Sequence, residues 1–204
     1  MKAKIYNIGD IKEIAAAMKA GAAAVLPTDT VYGLCVCAAA AGAQAALDKL
    51  NKIKNNPSDK PPQILCSIGQ AFRLAAPSES FTAAAKLWPG ALTIVAKASP
   101  SGRALMGGAD TIGLRAPDDD FVLSLINLLG APLFASSANM HGDPVCETEA
   151  AVKRVFENKV DIIVPRGDIK TAPSAVIDLS GPKPRVIRAG VMEAELLAVI
   201  ASVP

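Results

Sequence analysis

Short apolar strands alternate with helical stretches along the whole chain, and this alternation limits the fold more than any other feature. The clearest strands are Ala23 to Leu26, Leu92 to Lys97, Thr111 to Arg115 and Leu133 to Ser136. No repeat or low-complexity linker interrupts the pattern. It predicts an α/β protein built on a single twisted mixed β-sheet covered by helices. We expect residues 1–204 to form one domain, with a strand order that the pattern does not specify.

Capping residues indicate where several helices begin and end. Asp10 is expected to cap a helix over Ile11 to Lys19, and Pro117 to stand in the first turn of a helix that Gly130 ends. The stretch Lys54 to Pro62 is expected to be a loop, because its Asn-Pro and Pro-Pro steps break any periodicity. Other helices are predicted over 41–52, 70–75, 80–87, 148–156 and 192–201, and other strands over 63–67, 161–164, 175–179 and 186–188.

Composition excludes several classes of protein. Hydrophobic residues make up 51% of the chain and charged residues 20%, with a net charge of +2, so neither disorder nor RNA binding by overall basicity is expected. The first apolar stretch carries Asp10, Lys12 and Glu13, which a signal peptide would not. The most apolar run, Val31 to Ala43, is too short for a membrane span, so we expect a cytoplasmic protein without membrane contact.

The cysteines and the one histidine do not suggest a metal site. The four cysteines form no CxxC pair, and reduced thiols buried in the core are the simpler interpretation. Cys35 and Cys37 are two residues apart, so on a strand they would share a face. His141 has no ligand set near it in the sequence. We therefore expect no protein metal site.

Three polar loops are the candidate functional segments, and each has a plainer explanation. The first, Pro27 to Leu34, offers hydroxyls, a carboxylate and a phenol, but it also fits a capped turn. The second carries Lys49, Lys52, Lys54 and Lys60, which suit either a phosphate site or a solvated basic loop. The third, Ser136 to Asn139, follows an apolar strand and is equally consistent with a turn.

Taken in order, these loops resemble the YrdC/TsaC family of threonylcarbamoyl-AMP synthases, in its short form. The resemblance depends on the following segments: 27–34 (PTDTVYGL), 54–61, 88–93 (WPGALT), 111–117 (TIGLRAP), 137–139 (SAN), 173–178 (PSAVID) and 188–190 (RAG). It implies a concave cavity in a twisted α/β fold. The implied reaction converts L-threonine, bicarbonate and ATP, with Mg²⁺, to threonylcarbamoyl-AMP and pyrophosphate. A partner transferase would then modify an adenosine of tRNA, and weak RNA binding by the chain itself stays open.

The resemblance also assigns roles to individual residues. It implies that threonine contacts Thr28, Arg115 and Ser174, with Arg115 holding the carboxylate. Lys54, Ser137 and Asn139 match catalytic positions that also bind the nucleotide. The other implied ATP contacts are Thr111 and Arg188. The planar guanidinium of an arginine suits a carboxylate because it can make two parallel hydrogen bonds.

Four positions depart from the family pattern. Asn56 stands where the family has an arginine, and we expect Lys60, or second Lys52, to supply the missing cation to ATP. The other departures are Cys35, His141-Gly142 and Ala175. The missing arginine keeps an alternative open, in which the chain is a non-catalytic relative that binds RNA or nucleotide.

Overall fold

The computed structural model describes residues 2–39, 42–56 and 61–190, and within them ten strands form one sheet. The strands are β1 Lys4–Ile5, β2 Ala23–Leu26, β3 Gly33–Cys37, β4 Gln63–Leu65, β5 Leu92–Lys97, β6 Thr111–Arg115, β7 Leu133–Ser137, β8 Ile162–Ile163, β9 Ala175–Asp178 and β10 Arg185–Arg188. The helices are α1 Ile11–Lys19, α2 Ala43–Lys54, α3 Ile68–Leu74, α4 Glu79–Ala84, α5 Pro100–Leu105, α6 Asp120–Leu129 and α7 Glu149–Phe156.

The sheet is mixed, which confirms the predicted fold class. Its strand order is β1-β8-β2-β3-β7-β4-β6-β5-β9-β10. Parallel pairs join β1 to β8, β8 to β2, β4 to β6 and β5 to β9, and the other neighbours are antiparallel. Most neighbours in the sheet are therefore distant in the sequence, so the short-range pattern could not give this order.

Several predicted boundaries are confirmed and several are wrong. The strands β2, β5 and β6 have the predicted limits, and Thr148 caps α7 as expected, with its hydroxyl accepting a hydrogen bond from the Ala151 amide. α6 is not started by Pro117, because the carboxylate of Asp119 caps it by accepting from the Val122 amide at 3.0 Å. Asp10 makes no side-chain cap for α1 and instead closes a short 3₁₀ turn.

The predicted loop after α2 is partly wrong. Helix α2 continues through Lys54, and Asn55 ends it in the left-handed conformation with φ of 56°. The sequence patterns also missed β1, β3 and α5. The predicted helix over 192–201 lies outside the described residues.

Alternate side chains of the strands face two apolar clusters, one on each side of the sheet. One face carries Val36, Ile64 and Phe134 toward α2, α3, α4 and α7. The other face carries Cys35, Cys37 and Leu133 toward α1 and α6. Cys35 and Cys37 thus share a face as predicted, and all four cysteines are free and buried.

On the second face, helices α1 and α6 cover only part of the sheet. Their apolar cluster includes residues of β8, β2, β3, β7 and β4 and ends there. Farther along the same face, the register places polar and small side chains in line: Gln63, Thr93, Thr111, Gly113, Ser137 and Arg188. We call these residues the polar face, and the candidate site lies along it.

Candidate active site

At one end of the polar face, Lys54 is held against the loop that follows β7. Its ammonium donates to the carbonyl of Ser137 at 2.6 Å and to the side-chain oxygen of Asn139 at 2.7 Å. The Ser137 hydroxyl donates to the same Asn139 oxygen at 2.7 Å. Only 2% of Lys54 is exposed, although lysine is rarely buried. The structure thus brings together the three predicted catalytic residues.

Local sequence explains how Lys54 reaches this position. It is the last residue of α2, where a cation is favoured by the negative end of the helix dipole. Its own carbonyl accepts a hydrogen bond from the His141 amide at 3.0 Å, which ties the helix end to the Ser137–Asn139 loop. The Asn139 side-chain amide donates to the Asp143 carbonyl at 2.7 Å and closes the loop from the other side.

Arg115, at the end of β6, is the second buried cation. One of its terminal nitrogens donates to Asp29 at 2.6 Å and the other to the Thr30 hydroxyl at 2.8 Å, while Nε donates to the carbonyl of Gly90 at 3.1 Å. Only 3% of Arg115 is exposed, and burial lowers its pKa from the ordinary arginine value while Asp29 opposes that change. A guanidinium has five N–H donors, so these three bonds leave two for a ligand.

Thr28 lies in the turn that carries Asp29 and Thr30. Its hydroxyl donates to the Val31 carbonyl at 2.7 Å and accepts from the Thr30 amide at 3.1 Å. These bonds make the capped turn that was the plainer explanation of this loop. The same turn also places Asp29 and Thr30 against Arg115, so being a capped turn does not prevent it from contributing to a site.

A row of hydrogen bonds crosses the polar face between these sites and the sheet edge. The Gln63 amide donates to the Thr93 hydroxyl, which lies 2.9 Å from the Ser174 hydroxyl. Arg188 donates to the Ser174 carbonyl at 2.9 Å and to its hydroxyl at 3.3 Å. Burial lowers the pKa of Arg188 from its ordinary value. The electrostatic effect of Arg188 also reaches Arg115, so two guanidinium groups share this part of the site.

Gly190 lets the chain after β10 approach Ser174 closely. Its φ is 64°, and a Cβ there would lie 2.3 Å from the nitrogen of Ala175. Any larger residue would therefore push Arg188 and Ser174 apart.

The long connection between β8 and β9 passes over the Thr28 turn. The Tyr32 hydroxyl donates to the Gly167 carbonyl at 2.7 Å and accepts from the Arg166 amide at 2.9 Å. Thr171 donates to the carbonyl of Thr30. Desolvation raises the pKa of Tyr32, which therefore stays a neutral donor at ordinary pH. These hydrogen bonds hold the segment that contains the Thr28 turn against the connection between β8 and β9.

The remaining predicted residues have different outcomes. Thr111 is exposed at the start of β6, next to Lys97 of β5 in the register, on the same face as Ser137. Lys60 lies outside the described residues. Sequence reasoning included Asp29 and Thr30 in a candidate loop but gave neither a role, and it missed Gln63 and Thr93. The only signal for Gln63 and Thr93 was a polar side chain in an apolar strand, and the register places both on the same face as Arg115.

A cleft of about 540 Å³ lies near α3 and α4, with Phe72, Phe81 and Lys86 in its lining. Phe81 belongs to the apolar cluster on the opposite face of the sheet from Arg115. None of the predicted site residues lines this cleft, so we do not assign it to the site.

Comparison with known proteins then decides the family. Residues 16–190 match the Sua5/YciO/YrdC family, which is described as "Telomere recombination". The chain belongs to this family. Within it, the threonylcarbamoyl-AMP synthase of Pyrococcus abyssi is 34% identical over 185 residues, and that of Bacillus subtilis 30% identical over 205. The matches cover 88% and 95% of this chain.

The structural comparison agrees with the family assignment. The crystal structure of P. abyssi Sua5 complexed with L-threonine superposes with a TM-score of 0.86 at 32% identity, over 98% of this chain and 62% of that one. The chain spans 54% and 57% of the lengths of the P. abyssi and B. subtilis synthases. In the described part of the chain, no helix is both long enough and apolar enough to cross a membrane.

Proposed function

We propose that this chain joins L-threonine, bicarbonate and ATP into threonylcarbamoyl-AMP and releases pyrophosphate and water. In the product, the threonine nitrogen is bonded to the carbamoyl carbon, and a carbamoyl oxygen is bonded to the α-phosphorus. We propose that the amine attacks the bicarbonate carbon, with loss of water, to give a carbamate. An oxygen of this carbamate would then attack the α-phosphorus, and the bond to the β-phosphate breaks. The observation that carries the proposal is the pair of buried cations, Lys54 and Arg115, at one polar face of a chain in this family.

The proposed threonine subsite is the Arg115 end of the polar face. Arg115 keeps two N–H donors beyond those bound to Asp29, Thr30 and Gly90. A carboxylate held there would be fixed by charge-assisted bonds, and Asp29 keeps the guanidinium in place before substrate arrives. Thr28 and Ser174 are proposed to contact the rest of threonine. The similarity of this chain to P. abyssi Sua5, whose crystal structure is described as complexed with L-threonine, supports this part of the proposal.

The proposed nucleotide subsite is the Lys54 end. The buried ammonium and the Ser137 and Asn139 side chains form a fixed group of hydrogen-bonding atoms. When the bond to the β-phosphate breaks, negative charge grows on the leaving pyrophosphate, and a preorganised cation stabilises it without further rearrangement. Arg188 and Thr111 are proposed to contact other parts of ATP. Positioning the three reactants is the main task, since no step needs a covalent enzyme intermediate.

Magnesium is proposed to enter with the nucleotide. Among the described residues, no group of three or more His, Cys, Asp or Glu side chains is placed to hold a metal ion. Mg²⁺ commonly keeps several waters and binds through phosphate oxygens with one or two carboxylates.

The product is reactive, so a second enzyme must use it. A mixed carbamic–phosphoric anhydride is readily hydrolysed, so we propose that a tRNA-modifying transferase takes the threonylcarbamoyl group. Weak RNA binding by this chain would assist the transfer.

The test is pyrophosphate release from ATP, measured with each substrate omitted in turn. We expect release only when ATP, bicarbonate and L-threonine are all present, and much less with L-valine, which lacks the hydroxyl. Lys54→Gln should nearly abolish the reaction, whereas Lys86→Gln, in the cleft near α3 and α4, should not change it. ATP binding without threonine-dependent pyrophosphate release would instead favour the non-catalytic nucleotide-binding alternative.

A further inference from the structure

Arg166 and Asp119 form an ion pair beside the proposed threonine subsite. A terminal nitrogen of Arg166 donates to one oxygen of the Asp119 carboxylate at 2.6 Å, and only 2% of the Asp119 side chain is exposed. The other carboxylate oxygen accepts from the Val122 amide and caps α6. A buried carboxylate is costly unless it is paired and hydrogen-bonded. Helix capping uses one oxygen of Asp119, so the bond to Arg166 is a second role of the same side chain.

The pair joins two segments that carry different proposed contacts to threonine. Asp119 stands four residues after Arg115, in the segment between β6 and α6. Arg166 lies in the connection between β8 and β9, and that connection ends at Ser174, just before β9. The ion pair therefore ties the segment that carries Arg115 to the segment that carries Ser174.

The Thr28 turn is bonded to the first of these segments. Asp29 accepts from Arg115 with one oxygen and from the Asp118 amide with the other, at 2.6 and 3.1 Å. Burial lowers the pKa of Arg115, and the carboxylates of Asp29 and Asp119 oppose that change. Asp29 favours the charged guanidinium through direct contact, and Asp119 favours it from its place in the ion pair.

The same turn is bonded to the second segment, the connection between β8 and β9. The Tyr32 hydroxyl accepts from the Arg166 amide at 2.9 Å, and the Thr171 hydroxyl donates to the carbonyl of Thr30. Hydrogen bonds thus link the turn to each of the two segments. The pair of Arg166 with Asp119 links those two segments directly, which closes a ring of three segments.

We infer that Arg166 and Asp119 are positioning residues for L-threonine, because their ion pair holds Arg115 and Ser174 at a fixed separation. This inference rests on the proposed function and adds two residues to its threonine subsite. Neither residue needs to touch the substrate. A site whose groups are already aligned binds more tightly, since less ordering remains when the substrate arrives. Loss of the pair should therefore weaken threonine binding and leave ATP binding unchanged.

The test is the affinity for L-threonine, measured by calorimetry and as the KM in pyrophosphate release. Asp119→Asn removes the charge and keeps a side-chain oxygen for α6, since asparagine caps helices about as well as aspartate. We expect the Kd and the KM for threonine to rise roughly threefold to tenfold at an unchanged KM for ATP. This is below the full effect of a lost charge-assisted bond, because the Arg166 side chain is 37% exposed.

Two kinds of variant separate positioning from stability alone. Arg166→Gln should act like Asp119→Asn, and Arg166→Lys, which keeps the charge, should recover most of the lost affinity. The double variant should cost no more than the larger single one, since both remove the same interaction. Arg185→Gln is the matched control. It breaks the 3.0 Å ion pair with Asp178, a carboxylate that is only 16% exposed, and it should not change the KM for threonine.

Hydrogen exchange tests the ring without any measurement of activity. In Asp119→Asn, the amides of residues 28–32 and 166–171 should both exchange faster than in the parent, because the ring is then open. Faster exchange confined to 166–171 would mean that the turn does not depend on the pair, and the inference would be wrong.

The outcomes distinguish the two proposals. If the parent releases pyrophosphate with threonine, but Asp119→Asn and Arg166→Gln lower only stability at an unchanged KM for threonine, the inference is wrong and the proposed function stands. An equal rise in the KM for ATP would also contradict the inference. If Asp119→Asn does not fold, Arg166→Gln leaves the helix cap intact and decides the question. If the folded parent binds no L-threonine, both proposals are wrong.

Discussion

One face of the sheet has an apolar half and a polar half, although the side chains alternate along the strands in the same way in both. Across β8, β2, β3 and β7, the inward side chains are apolar, and α1 and α6 pack on them. Across β6, β5, β9 and β10, the side chains on that same face include Arg115, which donates to Thr30, and Thr93 and Arg188, which both form hydrogen bonds with Ser174. The covered half gains stability from the burial of apolar side chains, whereas the polar half buries the cation of Arg115, which is costly unless the guanidinium is hydrogen-bonded. Substitutions in the two halves should therefore separate stability from activity.

The largest expected effect comes from the covered half. Leu125 of α6 is fully buried, and Leu125→Ala should lower the free energy of unfolding by about 2–5 kcal/mol, through lost burial and a cavity. Denaturant unfolding measures this. Leu128→Ala, on the exposed side of the same helix, is the matched control and should change stability by less than about 0.5 kcal/mol. The KM for threonine should not change in the folded fraction of either variant; a large change would mean that the halves are coupled.

The next largest effect is expected at Arg115, on the polar half. Arg115→Lys keeps the charge but cannot make the bonds to Asp29, Thr30 and Gly90 together with two parallel bonds to a carboxylate. The KM for threonine should rise roughly tenfold or more, the scale of one lost charge-assisted bond. Steady-state kinetics at saturating ATP measures it. An unchanged KM, with the fold intact by circular dichroism, would remove Arg115 from the threonine subsite.

Sequence patterns predicted the elements of both halves better than the contacts between them. Strands such as β5 and β6 are mainly apolar and have clear boundaries in the sequence, so the residues at which they begin and end were predicted. The start of α6 was misplaced because Pro117 and Asp119 are both good start signals, and only the structure shows that Asp119 makes the cap. β3 was missed because its glycine and cysteines carry a weak strand signal.

The candidate site was predictable only as separate loops. Arg115 and Asp29 are 86 residues apart, and Lys54 and Asn139 are 85 apart, so no local pattern reports either contact. The resemblance to a family supplied the order of the loops and the residues in them. It could not predict the contact between His141 and Asn56, whose Nδ1 and side-chain oxygen lie 3.2 Å apart, since both residues are departures from the family pattern.

A third prediction concerns the Asn56 departure and is smaller. Asn56→Arg should raise kcat/KM for ATP by about tenfold, because a permanent cation would stand where the chain has an amide. Lys60→Ala should lower kcat/KM for ATP in the parent and by less in the Asn56→Arg background, which a double-mutant cycle measures. Equal losses from Lys60→Ala in both backgrounds would show that Lys60 is not the substitute cation.

The smallest effect is expected in the hydrogen-bonded row of the polar half. Thr93 is 5% exposed, and its hydroxyl joins the Gln63 amide to the Ser174 hydroxyl. Thr93→Val keeps the shape and removes that link. The variant loses one hydrogen-bonded link in the row, so the cost should be about 1 kcal/mol, or a several-fold rise in the KM for threonine. Thr82→Val removes an exposed hydroxyl that bonds the Ser78 carbonyl of α4, and it should leave the KM unchanged. If Thr93→Val lowers the melting temperature by many degrees at constant KM, the row belongs to the stabilising core, and the boundary between the two halves must move toward the sheet edge.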